Sequence, residues 1–182
     1  MSSNQQQKPV NAATVEKAGK RARELLQTYH GCAQCTLVAL QQVCGMEDEM
    51  LSKASVLLSG GVGGIQSVCG VLTGACLALG TKYGRDTSYL KGTEEDAVAK
   101  ENEGMEVAGK LCKWFEREFG STTCAGLRKA HMGTDLNNKI PWQKQMADDL
   151  NMRGRCLDIA EKTARRTAAM LDNPNLGILD KV

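Results

Sequence analysis

Aromatic side chains are scarce, with Phe, Trp and Tyr together making up only 4% of the 182 residues. A core here cannot rest on large rings. It has to be built from Leu, Val, Ala, Met and Cys and from close backbone contacts at Gly, which favours tightly packed helices. Charge of one sign is also lacking: the formal net charge is +2, with Lys and Arg interleaved with Asp and Glu. Such a balance makes no field of the kind phosphate-backbone binding needs, so nucleic acid is not expected as a partner. The first twenty residues, Met1 to Lys20, contain no apolar stretch of signal-peptide length, and a cytoplasmic protein is expected. Gly60 to Gly80 is about as long as a membrane span, but Gln66, Ser67, Thr73 and its many glycines favour a buried helix over a spanning one. Catalytic signatures are missing too. There is no Ser-His-Asp order, no H-E-x-x-H, no phosphate loop ending in Gly-Lys-Ser/Thr and no strand before the glycine cluster for a dinucleotide fingerprint.

What is present is helical periodicity. Val15, Ala18, Ala22, Leu25, Leu26 and Tyr29 recur at helical spacing over Ala12 to Tyr29. A second pattern runs from Cys32 through Leu37, Leu40 and Val43 to Gly45, and a third over Glu47 to Ser59 with Met50, Leu51, Ala54, Leu57 and Leu58 as its apolar face. Gly70 and Gly74, four apart in a helix expected over Ser67 to Gly80, make a small-residue face that lets a partner helix approach closely. The longest helix is expected over Glu94 to Phe119, with Val98, Met105, Ala108, Leu111, Cys112, Phe115 and Phe119 on one side. A short helix bearing Cys124 and Leu127 follows, then an irregular stretch from His131 to Gln143 and a last helix over Asp148 to Leu171. No period-two strand segment and no internal repeat is visible. The expectation is an all-α, single-domain helical bundle over residues 12–172, with a buried glycine-rich central helix, a disordered tail over 1–11 and a C-terminal tail over 173–182.

The chain holds eight cysteines. In a reducing compartment these are not read as a disulfide framework, so metal binding or redox chemistry rises. Cys112, on the apolar stripe of the long helix, and Cys44, at a helix end, read as small hydrophobes. Cys32 and Cys35 form a C-x-x-C, and a helix beginning near Gly31 would favour the Cys32 thiolate. Thr36 in place of His excludes haem attachment, and with no second C-x-x-C any further ligands come from distant segments. Cys76 lies two turns after Cys69 and could line the same interior. His30 and His131 are candidates for a supporting role around a metal or for helix-end positions. Trp114 and Trp142 read as core or dimer-interface aromatics.

The stretches GCAQCTLVAL, GGVGGIQSVCGVLTGACLALGTKYGRD, FEREFGSTTC and GRCLDIA resemble the redox-active protein family named for its C…CGAxxG…C…C cysteine pattern. They are also similar to the non-haem domain of split-Soret cytochrome c. On this resemblance the four family cysteines fall on Cys32, Cys69, Cys124 and Cys156, and CGAxxG falls on Cys69 to Gly74 with Val71 in place of Ala. The resemblance implies an all-helical domain, often a homodimer, whose four thiols ligate one iron–sulfur cluster, [2Fe–2S] or [4Fe–4S], with no haem. Cys35 and Cys76 are possible additional ligands, and Lys82, Arg85, Arg128 and Arg155 could offset the cluster's negative charge. The expected role is electron transfer with an unidentified redox partner protein. Two alternatives stand beside it: a thiol–disulfide enzyme or sensor using Cys32 and Cys35, and a zinc or metal-binding protein using the same four thiolates.

Overall fold

A computed structural model describes residues 11–134, 136 and 140–177; the expected N-terminal tail lies, but for Asn11, outside these, as does the end of the C-terminal one. Among the described residues there are eight α-helices and no named strand: α1 Ala12–Tyr29, α2 Cys32–Cys44, α3 Glu49–Ser55, α4 Gly70–Tyr83, α5 Glu94–Phe119, α6 Cys124–Met132, α7 Pro141–Asp149 and α8 Met152–Asp172. No helix is long and apolar enough to cross a membrane among them. The all-α single domain expected from periodicity is what forms.

Side-chain caps set where several helices start. Asn11 Oδ1 accepts from the Thr14 N–H at 2.9 Å, Asp48 Oδ1 from Leu51, and Thr93 Oγ1 from Asp96 at 3.1 Å, each satisfying one of the unpaired donors of a first turn. Glu94, Glu95 and Asp96 add negative charge at the positive end of α5. Gly45, Gly120 and Gly133 end α2, α5 and α6 in the left-handed conformation.

The glycine-rich helix α4 sits at the centre, packed against α2, α5 and α8. Leu72, Ala75, Ala78 and Leu79 on it are buried, together with Leu37 and Leu40 of α2, Leu111 and Phe115 of α5, and Ala164 and Ala168 of α8. The close approach read from Gly70 and Gly74 is real. A Cβ on Gly74 would collide with the Ala33 carbonyl oxygen, and one on Gly70 with the Cys32 sulfur. The pairing of α2 with α4 therefore depends on two absent side chains.

Several expectations fail for tertiary reasons. Met50 and Leu57 are 77% and 72% exposed, and α3 instead buries Ser52 and Ser55, whose hydroxyls bond to the Gln41 side chain and the Ser52 carbonyl. On α5 the buried stripe is Ala97, Val107, Leu111, Phe115 and Phe119; Val98 and Met105 face outward. Tyr29 is exposed at the end of α1. The stretch expected to be irregular up to Gln143 contains the start of α7, with Pro141 at its first turn, where its missing N–H costs nothing. Trp142 is exposed on that helix, while Trp114 packs edge-on against Phe119 at 5.7 Å.

Candidate functional site

Cys32, Cys69, Cys124 and Cys156 line one cavity of about 50 Å³, together with Gly70, Val71, Leu127, Arg128, His131, Met152, Arg155 and Ile159. Four segments spread from α2 to α8 thus bring the four family positions together. The backbone explains how. Val68 and Thr123 form an isolated antiparallel bridge, with the Cys69 N–H donating to the Thr122 carbonyl at 2.8 Å and the Cys124 N–H to the Ser67 carbonyl at 2.7 Å. This clasp holds the start of α4 beside the start of α6. Cys32 is brought in by the α2–α4 contact across Gly70, and Cys156 by α8.

Three of the four thiols stand at helix N-termini. Cys32 and Cys124 are the first residues of α2 and α6, and Cys69 is the N-cap of α4. The partial positive charge and unpaired N–H groups of three helices are therefore aimed at one cavity. The backbone N–H groups of Leu72 and Val71 act to lower the Cys69 thiol pKa against the larger effect of burial. The Cys32 sulfur accepts the Gly60 N–H at 3.4 Å. That donor is supplied by a left-handed turn in which Gly60, Gly61, Val62, Gly63 and Gly64 all have φ between 58° and 78°, a run that only glycine-rich sequence sustains. Arg128 hydrogen-bonds to the Cys124 sulfur, and its charge lowers the pKa of both Cys124 and Cys156.

Against these donors works burial. Desolvation is the main cause that pushes the Cys156 thiol up to about 12 and raises Cys69 and Cys124, with the neighbouring Cys32 adding to each. The mutual influence of the four groups is a direct sign of their proximity. Among the described residues, no three His, Cys, Asp or Glu side chains converge closely enough to form a ready cage for a single metal ion. The donor set itself, four sulfurs backed by backbone N–H groups in an apolar setting, is the chemistry that thiolate-ligated metals and clusters take.

The remaining sequence candidates fall elsewhere. Cys35 is buried away from the cavity, with its S–H donated to the His30 carbonyl at 2.5 Å and its pKa pushed by burial to about 11. His30 is exposed and its ring lies against Arg153; His131 does line the cavity. Lys82 bonds to the Leu171 carbonyl and Arg85 to the Ala97 carbonyl and Glu101, so neither serves the cavity, whereas Arg128 and Arg155 line it. Cys44 is a buried hydrophobe, as read. Cys76 lines a groove beside α5 rather than the cavity, and its thiol pKa is raised by the neighbouring Cys112 and by burial. That pair was not read from sequence. Cys76 and Cys112 lie on helices whose relative rotation no local pattern specifies. The Gly60 N–H was likewise not expected as a donor to sulfur.

An all-helical domain that gathers four dispersed cysteines into one apolar cavity defines a class of cysteine-centred redox proteins. The chain belongs to the family described as "Putative redox-active protein (C_GCAxxG_C_C)", whose profile matches residues 30–170. No curated protein matches it, and no solved structure does.

Proposed function

We propose that this protein is an electron-transfer protein holding one iron–sulfur cluster on Cys32, Cys69, Cys124 and Cys156. The observation that carries the reading is that these four thiols line a single cavity onto which three helix N-termini converge. That arrangement offers compensation for a concentrated negative charge, which an iron–sulfur centre with four thiolates carries and neutral thiols do not. When bound, the cluster supplies a one-electron couple. The chain's own contributions are the four sulfurs, the Gly60 N–H donor, the Arg128 cation and an apolar wall of Leu127, Met152 and Ile159. Donors to the sulfurs and exclusion of water tune potential. The thiol–disulfide reading at Cys32 and Cys35 is weakened by the seating of Cys35 against the His30 carbonyl. Cytoplasmic residence, a homodimer and a protein redox partner belong to the same reading.

Anaerobic purification with iron, sulfide and zinc analysis tests it, together with absorption and EPR spectra. Stoichiometric iron and sulfide are expected, lost in Cys32→Ser, Cys69→Ser, Cys124→Ser and Cys156→Ser and kept in Cys35→Ser. Stoichiometric zinc, or colourless protein after reconstitution with iron and sulfide, refutes the cluster.

A further inference from the structure

The first turn of α2 carries Cys32 and lacks a cap of its own. Helices α1, α3, α5, α6 and α8 each begin on a side chain that accepts a first-turn N–H, whereas Gly31, before α2, has no side chain to offer. The acceptor comes from elsewhere in the chain. Ser59 Oγ accepts the Ala33 N–H at 3.3 Å, from 26 positions away in sequence. A Cβ on Gly31 would lie 3.8 Å from that oxygen, so the hydroxyl stands beside the place a capping side chain would fill. The next residue, Gly60, donates its N–H to the Cys32 sulfur at 3.4 Å. Two consecutive residues thus grip two consecutive residues of α2, with one bond in each direction. We propose that Ser59 is a positioning residue for Cys32, bracing the first turn of α2 so that the Gly60 N–H stays on the sulfur; its effect on potential rests on the cluster reading of the four cysteines.

The brace is separate from the contacts that dock the helix. Gly70 and Gly74 set how closely α2 approaches α4, and the Gln34 side chain donates to the Ser52 carbonyl at 3.1 Å, so α2 stays in place without the Ser59 hydroxyl. Ser59 is itself fixed at both ends of its backbone. Its N–H donates to the Val56 carbonyl at 3.1 Å, and its carbonyl accepts the Gly64 N–H at 3.2 Å, closing the left-handed turn. The hydroxyl is therefore presented to α2 from a held position. Without it the Ala33 N–H loses its acceptor, and the Gly60 bond to sulfur is left alone to hold the first turn against residues 59 and 60. An N–H donated to a ligand sulfur stabilises the more negative, reduced form of a cluster, so weakening that bond lowers the potential.

The test compares Ser59→Ala, Ser59→Thr and Thr93→Ala with the parent, each as the full chain as purified. Amide hydrogen exchange reads the brace whatever the cavity holds, so its result stands apart from that of the iron and sulfide analysis. In the parent chain the Ala33 amide is expected to exchange more slowly than that of Gln34, which has no acceptor among the described residues. That comparison needs no variant to fold. In Ser59→Ala the Ala33 and Gly60 amides are expected to exchange about five-fold faster, the factor that corresponds to losing one cap. Ser59→Thr keeps the hydroxyl and is expected to exchange as the parent does. Where the protein holds a cluster, redox titration followed by EPR is expected to give a lower midpoint potential in Ser59→Ala and the parent potential in Ser59→Thr. Thr93→Ala, which removes a cap on α5, is expected to lower Tm without moving the potential. An Ala33 amide as fast as Gln34 in the parent, or unchanged exchange at Ala33 and Gly60 in Ser59→Ala, overturns the proposal. So does a cluster potential that Ser59→Ala leaves unmoved, that Thr93→Ala moves equally or that Ser59→Thr fails to restore.

Discussion

Replacing Gly74 by Ala isolates what the central helix depends on. Removing glycine from a helix interior ordinarily stabilises it by about 1 kcal/mol. At Gly74 the new methyl meets the Ala33 carbonyl oxygen of α2 closer than real Cβ contacts run, with the Ala33 carbonyl carbon at 3.0 Å and its Cα at 3.1 Å, tighter than most of them. Backbone inside a helix cannot swing aside as a side-chain tip can, so α2 and α4 must part. Overpacking of this kind costs about 3 kcal/mol at its upper end, leaving a net loss of about 2 kcal/mol after the helix gain. For a chain of this size that corresponds to a Tm lowered by about 4–8 °C. Gly80, on the same helix, has nothing within 4 Å of the position a Cβ would take, so Gly80→Ala is expected to raise Tm by about 2–4 °C. Thermal unfolding followed by circular dichroism reads both. Because parting α2 from α4 carries Cys32 away from Cys69, the proposed cluster site predicts that Gly74→Ala holds less iron than the parent protein and Gly80→Ala as much. If Gly74→Ala proves as stable as Gly80→Ala, the close approach of α2 and α4 is not as described.

Gly70→Ala is expected to lower Tm and, on the cluster reading, to reduce iron and sulfide content, because its methyl would strike the Cys32 sulfur and crowd the Ala33 nitrogen and Leu58 carbonyl oxygen, each at 3.2 Å. Thr93→Ala removes the cap that accepts the Asp96 N–H and is expected to cost about 1 kcal/mol, a fall of about 2–4 °C in Tm. Arg166, almost fully buried, donates to the Leu176 and Gly177 carbonyls and lies 5.5 Å from the Trp114 ring. Arg166→Ala is expected to cost about 3 kcal/mol through lost packing and unsatisfied carbonyls. It should also speed amide exchange in the segment after α8, and unchanged exchange there would show that the arginine does not hold that segment.

The helices were legible because burial imposes a 3.6-residue period on each one separately, and the ends expected for α5, Glu94 and Phe119, are the ones it has. Short-range pattern was less informative where polar groups replaced apolar ones. Ser52 and Ser55 are buried because Gln41 and local carbonyls satisfy their hydroxyls, which no hydrophobicity pattern signals. Pro141 was taken as a mark of irregular chain when it opens α7.

The order and spacing of Cys32, Cys69, Cys124 and Cys156, and the small residues at positions 70 and 74, are properties of the sequence, and it is their resemblance to the family's cysteine pattern that singles out these four from eight cysteines. Their assembly was decided by the tertiary structure. The bridge between Val68 and Thr123 sets α4 beside α6, the missing side chains of Gly70 and Gly74 let α2 close in, and the left-handed glycine turn aims an N–H at the Cys32 sulfur. The same packing decided what sequence left undivided, placing Cys35 against a backbone carbonyl and Cys76 against Cys112. A thiol's neighbours depend on how helices distant in sequence are rotated against one another, and that rotation is settled only when all their buried faces are satisfied at once.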